Sequence, residues 1–302
     1  MNLGGRINTW AFEGYGMIST DGSTLYFASG RGGGSGGVDL WQAPILPGVD
    51  FDDDGVVQMG DLLTLIECWG TDERLCDIAP MPWGDGVVDA ADLEVLMSYW
   101  GQVMREPAEL VAHWKLDESE GMVAYDSAGT NDATLIGNPV WRPNGGQIGG
   151  ALELDGAGDG IKTGFVVNPM ETSLSVFAWV KGGVPGQIII SQTNGTNWLL
   201  TDPSKGYLMA GLQAPAPVGI SLSSQTVVTD GEWHHVGLVC DLGARTLYVD
   251  GAKVARDTGG GLSDFQQTDG GLYIGAPNRL NFPGYWSGLI DDVQVYQGVV
   301  KP

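Results

Sequence analysis

The chain has 302 residues, with 37 acidic against 14 basic side chains and a formal net charge of −23. That balance excludes nucleic acid and anionic membrane as partners, because phosphate recognition needs clustered Lys and Arg. Forty-nine glycines favour many tight turns, hence a mainly β body, and the length has room for two or three domains. No apolar run approaches the ~20 residues that span a bilayer, and Met1-Asn2-Leu3-Gly4-Gly5-Arg6 lacks the apolar stretch of a signal peptide.

Residues 1–45 form the first segment. Asp21-Gly22 marks a turn, Leu25 to Ala28 reads as a buried strand, and Val38-Asp39-Leu40-Trp41 follows a Gly-rich stretch. The pattern resembles one blade of the TolB-type β-propeller repeat. A single blade cannot bury its own faces, and propellers use about four to eight. The resemblance therefore implies the remnant of a longer parent chain, truncated at its N-terminus.

Residues 46–104 hold a duplication. Asp54-Gly55-Val56-Val57 runs on to Asp61-Leu62, Leu65 and Trp69-Gly70; Asp85-Gly86-Val87-Val88 runs on to Asp92-Leu93, Leu96 and Trp100-Gly101, 31 residues later with unchanged spacing. The first copy adds Asp50 and Asp52, so carboxylates fall at positions 1, 3, 5 and 12 of a loop with Gly at 6. That is the ligand order of an EF-hand calcium loop, with Asp at position 12. Twelve acidic side chains and one basic, Arg74, lie between residues 50 and 92, a density better suited to a cation site than to a linker. Each loop leads into a short helix with one apolar face, Leu62, Leu63, Leu65, Ile66 and Trp69 in the first and Leu93, Val95, Leu96, Met97 and Trp100 in the second. Cys68 and Cys76 lie close enough in sequence for a local disulfide, which fits an exported protein.

This segment resembles a type I dockerin. The resemblance implies Ca2+ held by the side chains of Asp50, Asp52, Asp54 and Asp61, by the Val56 carbonyl, and by Gln58 directly or through water. The second loop departs from the pattern: counting back from Asp92, position 5 is Asp85, but position 3 is Trp83 and position 1 is Met81. Asp77 re-enters as a ligand if residues 78–83 bulge outward, and Asp89 stands at position 9. The resemblance also implies a cohesin-like partner read by positions 10 and 11. Met59-Gly60 and Ala90-Ala91 occupy those positions instead of the Ser-Thr pairs common in the family, which weakens that implication.

Residues 105–302 alternate short strands with turn clusters, the pattern of an antiparallel β-sandwich. Asp250-Gly251 between two apolar strands signals a two-residue hairpin. Cys240 reads as a buried thiol. The phrases His113-Trp114-Lys115-Leu116-Asp117-Glu118, Leu174-Ser175-Val176-Phe177-Ala178-Trp179-Val180, Glu232-Trp233-His234-His235-Val236, Leu247-Tyr248-Val249-Asp250-Gly251 and Gly288-Leu289-Ile290-Asp291-Asp292-Val293 resemble, in this order, the laminin-G-like (concanavalin A-like) jelly roll. The resemblance implies that the loop after the first strand meets the last strand, so Asp126 and Asp291 or Asp292 are candidates for a further Ca2+ site.

No catalytic set stands out. Retaining glycosidases need two carboxylates about 5–5.5 Å apart; Glu153-Leu154-Asp155 is the nearest approach and reads as structural. His234 and His235 point to opposite faces of a strand and cannot share a ligand. Trp198 and Tyr285 are the candidate ligand-stacking rings. The expectation is a non-catalytic, calcium-binding part of an extracellular multimodular protein, whose jelly roll binds carbohydrate or a protein surface. The alternatives are an accessory tail of a polysaccharide-degrading hydrolase and a structural module docked to a cohesin-like partner.

Overall fold

The structure, a computed structural model, describes residues 13–20, 24–30, 37–45, 48–52, 55–80, 84–104, 108–164, 166–167, 173–193, 196–211, 221–241, 244–257 and 271–302. The chain divides into two compact units, residues 1–107 and 108–302. No helix of the described residues is long and apolar enough to cross a membrane.

The first unit opens with β1 (Glu13–Ile18), β2 (Thr24–Ser29) and β3 (Asp39–Pro44), an antiparallel sheet in sequence order. The turn expected at Asp21 and Gly22 lies outside the described residues. Two nine-residue helices follow, α1 (Met59–Glu67) and α2 (Ala90–Ser98). Their small core contains Val49, Val57, Leu65, Ile78, Val88 and Leu96. The expected single apolar face on each helix divides in two. Leu62, Leu65, Leu93 and Leu96 pack inward, whereas Leu63, Ile66, Trp69, Met97 and Trp100 are exposed. At 100° per residue, neighbours such as Leu62 and Leu63 cannot both face one narrow core. Cys68, at the end of α1, is joined to Cys76 by a disulfide.

The two copies are tied together by matched hydrogen bonds. The Val57 N–H donates to the Gln102 carbonyl at 3.0 Å and its carbonyl accepts from Gly101 at 2.8 Å; 31 residues on, Val88 pairs in the same way with Thr71 and Gly70 at 2.9 and 2.8 Å. Each loop is thus fastened to the exit of the other copy's helix, where Gly70 and Gly101 take φ 77° and 75°, the left-handed conformation that favours Gly.

The second unit is an antiparallel sandwich of jelly-roll type. One sheet has the order β17 (Ala252–Asp257), β16 (Ala244–Val249), β15 (Trp233–Asp241), β10 (Leu174–Gly182), β19 (Ser287–Gln297), β8 (Ala151–Asp155) and β7 (Val140–Arg142), with β4 (Glu109–Trp114) also on β19. The other runs β14 (Leu222–Val227), β13 (Tyr207–Ala210), β12 (Asn197–Thr201), β11 (Ile188–Gln192), β18 (Leu272–Ile274), β9 (Gly160–Lys162), β6 (Ala133–Ile136) and β5 (Val123–Ala124). Alternation sets the layers: on β10, Leu174, Val176, Ala178 and Val180 enter the core. Phe177 takes the other face, over Gly237, where a Cβ would meet its ring at 2.4 Å. The hairpin between β16 and β17 has Asp250 at φ 52° and Gly251 at φ 79°, as a two-residue turn with positive φ at both positions requires.

Candidate metal centre and ligand-binding elements

In the first loop, ligand oxygens of Asp50, Asp52 and Asp61 all lie within 4.8 Å of one another. This is the one such group of three among the described residues. Asp61 is wholly buried and sits in the first turn of α1. Its Oδ1 accepts the Phe51 N–H at 2.6 Å and its Oδ2 the Gln58 N–H at 2.8 Å, so one carboxylate holds both the loop's start and the helix's start. Asp50 Oδ2 accepts the Gly55 N–H at 3.0 Å, across the turn. Gly60 lies beneath Asp52: a Cβ there would meet Asp52 Oδ2 at 2.0 Å. The small residue at position 11 is therefore a consequence of the carboxylate at position 3. Val56 forms an isolated bridge with Val103. Asp54 lies outside the described residues. Three carboxylates this close repel one another unless a cation stands between them, and an all-oxygen set suits Ca2+.

The second loop repeats the frame with extra chain. Asp77 Oδ2 accepts the Gly86 N–H at 2.8 Å, nine residues away, where Asp50 reaches Gly55 over five. Asp92 Oδ1 accepts Ile78 N–H at 2.6 Å over fourteen residues, where Asp61 reaches Phe51 over ten. Both differences are four residues. Asp77 thus takes position 1, and an insertion of four separates it from Asp85. Position 3 becomes Ala79, whose N–H donates to Asp92 at 2.8 Å as that of Asp52 does to Asp61 at 3.3 Å. Accordingly Ala91 replaces Gly60, since no carboxylate overhangs it. Asp85 caps its own turn through Val87 N–H, and Asp89 caps α2 through Ala91 N–H. Asp77, Asp85, Asp89 and Asp92 form no such three-carboxylate group among the described residues, and Asp92 accepts the same pattern of backbone amides as Asp61.

The acids expected to hold a further Ca2+ in the sandwich are each engaged by protein hydrogen bonds. Asp126 accepts backbone N–H groups from His113, Ala128 and Asn131 at 2.8, 2.9 and 3.0 Å. Burial alone would raise its pKa, but these donors outweigh it and hold the carboxyl below its usual range. Its oxygens are spent on ordering the loop after β4. Asp291 accepts the Ile148 N–H at 2.8 Å through Oδ2, while its buried Oδ1 has no partner. Burial, reinforced by the charges of Asp292 and Asp117, pushes its pKa up to about 6. Asp292 instead meets His113 Nε2 at 2.5 Å. Neither Asp126 nor Asp291 belongs to a group of three among the described residues.

The two ring candidates are corrected as well. Trp198, expected in or near a loop, is a strand residue inside the core, and Tyr285 is buried with its hydroxyl donating to the Leu280 carbonyl at 2.6 Å. Short strands bounded by turn residues put both close to loops in sequence without exposing them. Glu153 accepts from Arg142 Nε at 2.5 Å and Asp155 caps its turn through Ala157 N–H at 2.8 Å. His234 lies between Asp250 and Asp230 at 2.8 and 3.1 Å. Burial lowers its pKa, but the two carboxylates outweigh it and the net shift is upward. His235, on the opposite face, packs on the rings of Phe177 and Trp179 with centroids 5.5 and 5.0 Å away. Cys240 is buried and its pKa is pushed up to about 12, so it stays a thiol.

Residues 155–302 match the Laminin_G_3 family, described as the concanavalin A-like lectin/glucanases superfamily. No curated protein sequence matches the chain. Solved structures with a like fold include domain 4 of AbnA, a GH43 extracellular arabinanase from Geobacillus stearothermophilus, at 21% identity and TM-score 0.44, covering 63% of this chain and 93% of that one. The binding domain of botulinum neurotoxin serotype C1 aligns at 12% identity and TM-score 0.48, over 64% of this chain and 49% of its own length. A Trypanosoma rangeli sialidase aligns at 16% identity and TM-score 0.46, over 96% of this chain and 43% of its own length.

Proposed function

We propose that this chain is a non-catalytic, calcium-binding part of an extracellular multimodular protein, with a jelly roll that binds carbohydrate. The observation that carries the calcium half is the Asp50, Asp52 and Asp61 group, gathered within 4.8 Å around a loop of EF-hand order. The family description of residues 155–302, which names lectins and glucanases together, supports the carbohydrate half. In this reading residues 46–104 are a dockerin-like repeat in which loop one holds Ca2+ through Asp50, Asp52, Asp54, Asp61 and the Val56 carbonyl. Ca2+ replaces mutual repulsion of the acids with a fixed loop, stiffening the junction that presents α1. Loop two, which gathers no such group among the described residues, is the metal-independent copy. Residues 1–45, with their three-stranded antiparallel sheet, are of propeller-blade type.

A glycan array probed with the full chain in Ca2+ and again in EDTA tests the proposal. Binding to a sugar class in either condition supports the carbohydrate half. A blank array in both rejects it and moves the jelly roll's role to a protein surface.

A second reading has its own observation. Met59, Leu63, Ile66 and Trp69 leave an exposed apolar stripe along α1, continued in kind by Met97 and Trp100 on α2, which favours docking to a cohesin-like protein partner. Loss of cohesin capture in a Leu63→Glu, Ile66→Glu variant checks that reading.

A further inference from the structure

The two copies of the repeat differ in one covalent feature. With Asp50 and Asp77 both at position 1, the residue before it is Val49 in the first copy and Cys76 in the second. At the unchanged 31-residue offset, the residue that caps the C-terminus of α1 is Cys68 and its counterpart on α2 is Tyr99. All four side chains belong to one small core: Val49 and Cys76 are buried in it, and Cys68 and Tyr99 pack against it half-buried. The second copy thus carries a disulfide at positions where the first has an aliphatic and an aromatic side chain.

That crosslink stands at the entrance to loop two, since Cys76 directly precedes Asp77. Loop one begins at Asp50, one of the acids gathered for a cation, whereas loop two has Ala79 at position 3 and no such group among the described residues. Backbone amides do not distinguish the loops, because Asp61 and Asp92 accept the same pattern. What loop two has and loop one lacks is a bond from its entrance to the end of a helix. A cation that binds only the folded loop contributes its binding energy to folding. A disulfide shifts the same balance by restricting the unfolded chain. The two cysteines are 8 residues apart in sequence, so the restriction falls on the short link between α1 and loop two.

We propose that residues 46–104 are closed by two separate fastenings, a cation in loop one and the Cys68–Cys76 disulfide in loop two, so that the module closes fully only where Ca2+ is present and thiols are oxidised. The loop-one half rests on the calcium half of the proposed function; the loop-two half stands without it. The bond forms by thiol–disulfide exchange. Cys68 and Cys76 give up two protons and two electrons to an external disulfide, which leaves as two thiols, and a dithiol reductant reverses the step. An oxidising exterior supplies the bond and a reducing cytosol removes it, which makes closure of loop two a response to export.

The test is amide hydrogen exchange on the full chain, oxidised or reduced with a dithiol, in Ca2+ or EDTA, beside a Cys68→Ala, Cys76→Val variant. The valine keeps its core position filled, as Val49 does in the first copy. Reduction in Ca2+ should speed exchange at Ile78, Ala79 and Asp89 on the order of tenfold or more and leave Phe51, Gly55 and Gln58 as they were. EDTA on the oxidised chain should do the reverse, and the variant should behave as the reduced chain does. Loop-two amides as protected in the variant as in oxidised wild type, with loop one still sensitive to EDTA, would overturn the inference and spare the calcium reading. Loop one indifferent to EDTA would overturn that reading and the paired device with it. Both loops loosening together in either arm would show a single fastening and also overturn the inference.

Discussion

Replacing Asp92 by Ala isolates what the second loop owes to hydrogen bonds alone. Asp92 is fully buried and accepts three backbone N–H groups, from Ile78 at 2.6 Å, Ala79 at 2.8 Å and Asp89 at 2.8 Å. A buried donor that loses its partner costs roughly 1–3 kcal/mol. Two of these bonds are fully buried, and the third is at the edge of α2, where water can replace the carboxylate. The expected loss is therefore about 3–5 kcal/mol, a large part of the stability of a small unit. Urea denaturation of the full chain, followed through the transition of residues 1–107 with and without Ca2+, measures it. The loss for Asp92→Ala should be equal in Ca2+ and in EDTA. Asp61→Ala should cost about 2–4 kcal/mol in EDTA, since one of its three N–H contacts is a long 3.3 Å. In Ca2+ at about 100 times Kd it should lose a further ~2.7 kcal/mol of binding-linked stability. An Asp92→Ala chain within ~0.5 kcal/mol of wild type, or one whose loss grows in Ca2+ as much as that of Asp61→Ala, would refute this reasoning.

Gly60→Ala should weaken Ca2+ affinity at least tenfold by pushing Asp52 aside, whereas Ala91→Gly should leave it unchanged; calorimetric titration of both variants checks this. Asp291 has a folded pKa near 6 against ~3.9 unfolded. Its contribution is therefore intact below about pH 4 and is lost as pH rises through 6. In EDTA, Asp291→Asn should then raise stability by on the order of 2 kcal/mol at pH 8 and change little at pH 4, as pH-resolved denaturation would show. The raised pKa of His234 has the same sign. Its charged pairing with Asp250 and Asp230 stabilises below about pH 6.5 and fades as pH rises through the folded value. His234→Gln should accordingly lower the melting temperature at pH 5.5 more than at pH 8.5.

Periodicity and turn chemistry made most of the fold legible. The alternation in Leu174 to Lys181 and the Asp250-Gly251 pair specify their strands and hairpin without reference to distant residues. The repeat was legible too, because a 31-residue offset preserves the paired backbone hydrogen bonds of Val57 and Val88. What the sequence concealed was long-range. The re-entry of Asp77 at position 1 depends on amide bonds nine residues apart, which spacing alone leaves open. Asp126 and Asp291 have the residue type of metal ligands, yet only the partners brought by folding separate an acid saturated with N–H groups from one left with a bare oxygen. Trp198 was misplaced for a similar reason: β12 is five residues long, and a strand so short resembles a loop.

The most direct test of the account is a calorimetric Ca2+ titration of the EDTA-stripped full chain beside an Asp50→Asn, Asp52→Asn variant. The account predicts that wild type takes up at least one Ca2+ ion, that the variant loses one, and that the sandwich's melting transition stays where it was. Equal Ca2+ uptake by the two proteins would contradict it.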